Sequence, residues 1–262
     1  MFKKMDIVQG ITDTAKCIVK DWNSYILYMI LQTAVIYVYA NKLIEHTSKS
    51  DFSGLDSFIK STDISTIIMM SLVVCFILLL IQVNIIKTTD DLKENQEHHL
   101  LFRIGFIIGK LPKLIGVWII LMIPAATLLF ISIRFIPTLA FSNLIIYLIV
   151  SIVLVIYAIF ISFVNHAILI SGADIFDSIE ESFTVVKSNF FRYLVVLIGI
   201  GVVIGIISVT LYSKDILVLF INSTLNTIVN VIGMVLITIL YKQVQPYNVS
   251  YPTTDSEPDE NQ

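Results

Sequence analysis

Six stretches of this chain run for about twenty residues or more without a charged side chain, and no other feature constrains its fold as tightly. Five are bounded cleanly by polar residues, at 22–41, 64–86, 114–133, 193–213 and 216–241. The sixth lies in the uncharged stretch 135–173, which is too long for one helix and carries Pro137 and the pair Ser142-Asn143 near its start. A turn at about 137–143 and a helix over 144–168 follow. About 20 apolar residues of helix cross the hydrocarbon layer, and in lipid every backbone N–H and C=O must find a partner within the chain. The runs are continuous and do not alternate with period two, which selects helices over a closed barrel. The expected fold is an all-α membrane protein with about six transmembrane helices.

Composition agrees. Hydrophobic residues make up 56% of the 262 and charged residues only 14%, with a mean hydropathy of +0.88, which no water-soluble core could hide. The net charge of −3 is small and its charges fall in the gaps between apolar runs, so nucleic acid is not an expected partner. The lipid bilayer is the first expected partner, with a membrane-protein partner or self-association beside it.

Orientation follows from the gaps. Twelve Lys and Arg (Lys3, Lys4, Lys16, Lys20, Lys87, Lys93, Arg103, Lys110, Lys113, Lys187, Arg192, Lys242) fall on one side, and five (Lys42, Lys49, Lys60, Arg134, Lys214) on the other. The positive-inside bias places both termini in the cytoplasm of a bacterial inner (plasma) membrane. The first 21 residues contain no apolar stretch of the kind a cleaved signal needs, which leaves the first span as the targeting signal.

Three segments preceding the odd-numbered spans are too polar to cross yet carry helical stripes. Val8, Ile11, Ala15 and Ile18 form the first. Leu100, Leu101, Ile104, Ile107, Ile108 and Leu111 form the second, which Pro112 is expected to end. Phe176, Ile179, Phe183 and Val186 form the third, opposed by Asp177, Glu180, Glu181 and Lys187. These read as three cytoplasmic interfacial amphipathic helices with their apolar faces on lipid or on the bundle. The chain thus reads as three units of interfacial helix, span and returning span. Asp6-Ile7, Ile11 and Tyr25 match Asp174-Ile175, Ile179 and Tyr193 at a constant offset of 168, through either an internal repeat or reuse of the same membrane physics. A polytopic domain over 1–245 is followed by 246–262, rich in Pro and acids, which reads as a disordered cytoplasmic tail.

No motif carries a reaction. Cys17 and Cys75 are too few for a disulfide framework. His98 and His99 are adjacent, so on a helix they diverge by about 100 degrees and cannot share a metal as an i, i+4 pair could. With His46 they read as solvated. His166 is the sole histidine near a span, and no carboxylate lies within any span to support it as a base. Arg134 reads as snorkelling to the outer interface. Neutral polar residues at depth are Gln32, Asn222, Asn226 and Asn230, with Gln82 and Asn84 near a cytoplasmic end. Asn222, Asn226 and Asn230 share one helical stripe and are expected to turn inward, against Gly201 and Gly205 (extended by Ser208) on the fifth span. No catalytic, cofactor-binding or metal-ligating residue is assigned, and no cofactor is implied.

Three strings carry a resemblance: Leu111-Pro112-Lys113-Leu114; Ser178 with Ser182, Asn189 and Arg192; and Thr224-Leu225 leading to Tyr241. Together with the hydropathy layout to about Gln243, they resemble the uncharacterised YciC-like family of bacterial inner-membrane proteins. A remoter likeness is to the membrane domain of some glycerophosphodiester phosphodiesterases, whose hydrolase part with its acidic ligands is absent here. The resemblance implies a multi-pass inner-membrane protein without established activity and transfers no functional residue. The expected function is a non-enzymatic accessory or envelope-maintenance factor; the alternative is a transporter or lipid-translocating protein using the neutral polar residues.

Overall fold

A computed structural model describes residues 4–48, 64–96, 100–135, 141–211 and 215–245. All regular structure among them is helical: α1 (Ile7–Lys20), α2 (Trp22–Ser48), α3 (Ile64–Lys93), α4 (Leu100–Phe135), α5 (Phe141–Ile161), the short α6 (Val164–His166) running into a π-turn (Ala167–Ser171), α7 (Ile175–Thr210) and α8 (Ile216–Val244). Five are long and apolar enough to cross a membrane, with spans at Met69–Lys93, Phe102–Pro124, Leu148–Ser171, Ile175–Thr210 and Leu217–Val244. α2 is helical over the first expected span but is not among the five. Asn23, Gln32, Asn41 and four tyrosines lower its hydropathy.

Two expected boundaries move. Pro112 does not end the second amphipathic segment, because α4 continues through both Pro112 and Pro124. Each proline removes one N–H bond, but breaking the helix in lipid would strand several backbone groups instead of one. Ser142 and Asn143, expected in a turn, already belong to α5; both residue types suit a helix start. Residues 136–140, which hold Pro137, lie outside the described residues, as do His98, His99 and the tail 246–262. The side chains of His46 and Arg134 are likewise not described.

The expected helix over 144–168 is interrupted at Ser162–Phe163, and a serine from another helix explains the break. Ser182 Oγ of α7 accepts a hydrogen bond from the Phe163 N–H at 3.1 Å and donates to the Phe160 carbonyl at 2.6 Å. A side chain inserted into the helical ladder breaks it without leaving its groups unpaired. After the π-turn, Gly172 adopts φ 72°, the left-handed conformation that glycine reaches without strain, and the Ala173 N–H closes on the Ala167 carbonyl at 3.1 Å.

The chain divides into two compact units. The first comprises Met1–Ile7, His98–Val195 and Leu240–Gln262; the second comprises Val8–Glu97 and Val196–Ile239. In the first, the indole N–H of Trp118 on α4 donates to Asn165 at 3.1 Å, and the Tyr157 hydroxyl on α5 donates to the Leu121 carbonyl at 2.9 Å. The backbone of Met5 and Asp6 is fastened by side chains of α7 and α8. The Met5 N–H donates to Asn189 Oδ1 at 2.9 Å, Arg192 donates to the Met5 carbonyl, and Gln243 both accepts from and donates to Asp6. In the second unit α2 runs antiparallel to α3, with Tyr25 on Thr89 at 3.0 Å, Tyr28 on Thr88 at 2.9 Å and Tyr39 on Ser71 at 2.8 Å. Its core gathers Cys17, Tyr25, Tyr28, Ile81, Ile85, Val231, Val235 and Ile239.

Candidate functional sites at two buried acids

Two of the segments expected to be amphipathic bury polar side chains and expose apolar ones. α1 buries Gly10, Asp13, Thr14 and Cys17, whereas Val8 is 77% and Val19 79% exposed. The first half of α7 buries Ser178, Glu181, Ser182, Val185 and Asn189 and leaves Phe176 74% exposed. Glu181, expected on the solvated side, is therefore buried. Val186 is buried too, so the predicted stripe divides: Phe176 and Phe183 face out and Val186 faces in. The small residues on the buried face, Gly10, Ser178 and Ser182 among them, allow close packing.

The two segments correspond residue by residue. At an offset of 168, the buried Gly10, Asp13, Thr14 and Cys17 of α1 coincide with Ser178, Glu181, Ser182 and Val185 of α7, all buried. The one-residue interruption between α1 and α2 at Asp21 coincides with Asn189, whose φ of −128° and ψ of 19° break the helical geometry inside α7. Tyr25 coincides with Tyr193, and neither side chain is exposed. Of this set, sequence identity showed only Tyr25 with Tyr193.

Each acid is held from the last turns of the helix that returns through the same unit. In the second unit Lys93 at the end of α3 reaches Asp13 Oδ2 at 2.6 Å, Gln9 donates to Asp13 Oδ1 at 2.9 Å, and Lys16 stands 3.9 Å away. The hydrogen bond from Lys93 above all, with Gln9 and the charge of Lys16 adding to it, holds the Asp13 carboxyl below its ordinary range against the opposing effect of burial. In the first unit Tyr241, near the end of α8, donates its hydroxyl to Glu181 Oε1. Ser171, the last residue of the π-turn, donates to the same oxygen at 2.8 Å and lies 2.7 Å from the Tyr241 hydroxyl. Gln245 Nε2 donates to Ser171 Oγ at 3.1 Å. Glu181 Oε2 is buried and has no hydrogen-bond partner among the described residues.

His166 shares an aromatic group with the Tyr241 that holds this second acid. Its ring centroid is 5.5 Å from that of Phe163 and 5.4 Å from that of Tyr241, so its contact with Tyr241 is ring to ring. The Tyr241 that holds Glu181 thus also belongs to the aromatic group of His166. Sequence reasoning missed Glu181 because it looked like one of three solvated acids.

A further buried polar group lies at the end of α3, past the point where the uncharged window stops. Lys87 contacts Asp90 at 3.2 Å and Asp91 at 2.9 Å, and Thr88 and Thr89 take the Tyr28 and Tyr25 hydroxyls. Helical periodicity continuing through 87–93 was the available signal.

The neutral residues at depth part company. Asn226 Nδ2 donates to Ser208 Oγ at 3.3 Å and to Asn222 Oδ1 at 2.5 Å, and Asn222 reaches the Leu211 carbonyl at 3.4 Å, so these two do face α7. Asn230 is exposed. The expected glycine face is not the contact: Gly201 and Gly205 have nothing within 4 Å of where a Cβ would stand. Gly233 of α8 makes the close approach instead, with Ile200 Cδ1 at 3.0 Å. A small residue permits an approach without determining which helix makes it. Gln32 is buried, and Asn84 donates to its own helix at the Leu80 carbonyl, 2.9 Å away.

The residues of the resemblance act structurally here. Lys113 pairs with Asp174 and holds that carboxyl below its ordinary range, Ser182 bridges the helix break, and Asn189 and Arg192 fasten Met5. No curated protein and no solved structure matches the chain. A family model does match it over residues 92–245, more than half its length, and the chain accordingly belongs to that family, the Domain of unknown function (DUF7847).

Proposed function

We propose that this is a non-enzymatic, multi-pass protein of a bacterial plasma membrane, an accessory or envelope-maintenance factor whose amphipathic helices ride in the headgroup layer. The observation that carries the reading is the reversed amphipathicity of α1 and of the first half of α7, with polar faces inward and Val8, Val19 and Phe176 outward. Such a surface is costly in water and favourable at the edge of the hydrocarbon. Six crossings, with α2 as the first, and both termini in the cytoplasm complete the proposal; the twelve-to-five distribution of Lys and Arg supports it. The likeness to the YciC-like family points the same way.

Depth-dependent quenching tests this directly. A fluorophore at position 176 should be quenched by shallow brominated lipid more than by an aqueous quencher, and one at position 177 the reverse. Equal aqueous quenching at both positions would overturn it. Transport is the second reading, favoured by the buried Gln32 and the half-buried pair Asn222 and Asn226. Uptake by the purified protein in liposomes would move the assignment there, whereas one stoichiometric membrane partner recovered by crosslinking would hold it with the first.

A further inference from the structure

We infer that Glu181 forms a binding site for a monovalent alkali cation, with its Oε2 as the charged ligand. The inference starts from the comparison of the two acids and is independent of the function proposed above. Asp13 and Glu181 occupy matching positions on matching helices, and both are more than nine-tenths buried. Among the described residues only one has a cation. Asp13 receives the ammonium of Lys93 at 2.6 Å, whereas Glu181 receives two hydroxyls, from Ser171 and Tyr241, and among the described residues no ammonium or guanidinium pairs with it. Hydroxyl donors orient a carboxylate without neutralising it. A buried charge without a counter-charge is among the costliest features a fold can retain, so an ionised Glu181 calls for a positive charge that no described residue supplies.

The geometry fixes where that charge belongs. Both hydroxyls converge on Oε1, and the Gln245 amide donates to Ser171 Oγ, which commits the serine's proton to the triangle of oxygens. With Oε1 held from two sides, the carboxylate cannot turn freely, and Oε2 is left buried with its lone pairs unpartnered. Ser171 owes its place to the π-turn Ala167–Ser171 and the left-handed Gly172 that follows, an irregularity of the kind that recurs at functional sites.

Charge and donor type select the ligand. The polar atoms placed on Glu181 are the hydroxyl oxygens of Ser171 and Tyr241, and with the carboxylate they make an all-oxygen set, which suits hard cations. One carboxylate balances one positive charge, as Lys93 balances Asp13. Divalent ions of this class gather several carboxylates, and among the described residues no three His, Cys, Asp or Glu side chains come together.

The test compares melting of the full purified chain in detergent at fixed pH 8 and fixed ionic strength, in NaCl, KCl or N-methyl-D-glucamine chloride. One alkali salt should raise the melting temperature saturably over glucamine, by about 3 °C or more when the site is filled. Glu181→Gln should melt identically in all three salts, while Asp13→Asn should retain the alkali dependence. If Glu181→Gln fails to fold, Tyr241→Phe supplies the second arm: it leaves the charge but frees Oε1, and should raise the half-saturating alkali concentration severalfold. Equal melting of the parent in all three salts would overturn the inference, as would an alkali shift of unchanged size in Glu181→Gln or an unchanged half-saturating concentration in Tyr241→Phe.

Discussion

Ser182 stands across the interruption that ends α5, its hydroxyl accepting from the Phe163 N–H and donating to the Phe160 carbonyl at 2.6 Å. One oxygen therefore replaces two links of a helical ladder. Ser182→Ala leaves a buried donor and a buried acceptor orphaned, a loss of about 2–4 kcal/mol, read as a fall in melting temperature in detergent. Thr184→Ala, on the same helix and bonded only to its own Glu180 carbonyl, should change stability by less than about 0.5 kcal/mol.

The pair formed by Asp13 and Lys93 predicts an acid dependence. Because the folded Asp13 carboxyl is held below its ordinary value of 3.8, chiefly by the Lys93 hydrogen bond, its stabilisation is fully present above that value. It is lost as pH falls through the lower, folded value. The parent should thus out-melt Asp13→Asn at neutral pH, with the difference closing on acidification below about pH 4. A difference that stayed constant from pH 7 to pH 3 would contradict the pairing.

Gly233 and Gly205 offer opposite expectations for the same substitution. A side chain at Gly233 meets Ile200 Cδ1 at 3.0 Å, so Gly233→Leu should cost about 1–3 kcal/mol by overpacking. Nothing stands within 4 Å of Gly205, and Gly205→Leu should be neutral or mildly stabilising, since it replaces a poor helix former. The two melts, taken side by side, decide which glycine makes the contact.

Tyr25 hydrogen-bonds Thr89 at 3.0 Å with neither side chain exposed to solvent. Tyr25→Phe and Thr89→Val should each destabilise by about 1 kcal/mol, and the double variant by less than the sum, because removing both partners leaves no orphan. Strict additivity in the melts would argue against the bond.

The spans were legible because hydrophobic length in lipid is nearly sufficient to define a helix, and the uncharged windows at 64–86, 114–133 and 216–241 each fall inside one. Boundaries were less so. Pro112 was read with the rules of water, where a proline usually ends a helix, and α4 ignores it. Of the stripe, Phe176 and Phe183 are exposed and Val186 is buried; of the residues opposing it, Asp177, Glu180 and Lys187 are exposed and Glu181 alone packs inward. Glu181 was hidden for that reason: a charge pattern does not say which side of a helix the protein is on. The offset of 168 was visible in four residues, and the chemically important match of Asp13 with Glu181 was not, since Asp and Glu count as a mismatch to identity.

The fastening of Met5 and Asp6 has a consequence for how the chain is made. Their partners Asn189, Arg192 and Gln243 lie 184, 187 and 237 positions further along. At a translation rate of about 5–20 residues per second, those partners leave the ribosome on the order of ten seconds or more after Met5 does. During that interval the Met5 and Asp6 amides have only water and headgroups to bond. Closure at Gln243 is therefore a late event of biogenesis, and a nascent chain stalled short of α8 would carry an unfastened N-terminal segment open to proteases of the compartment it faces.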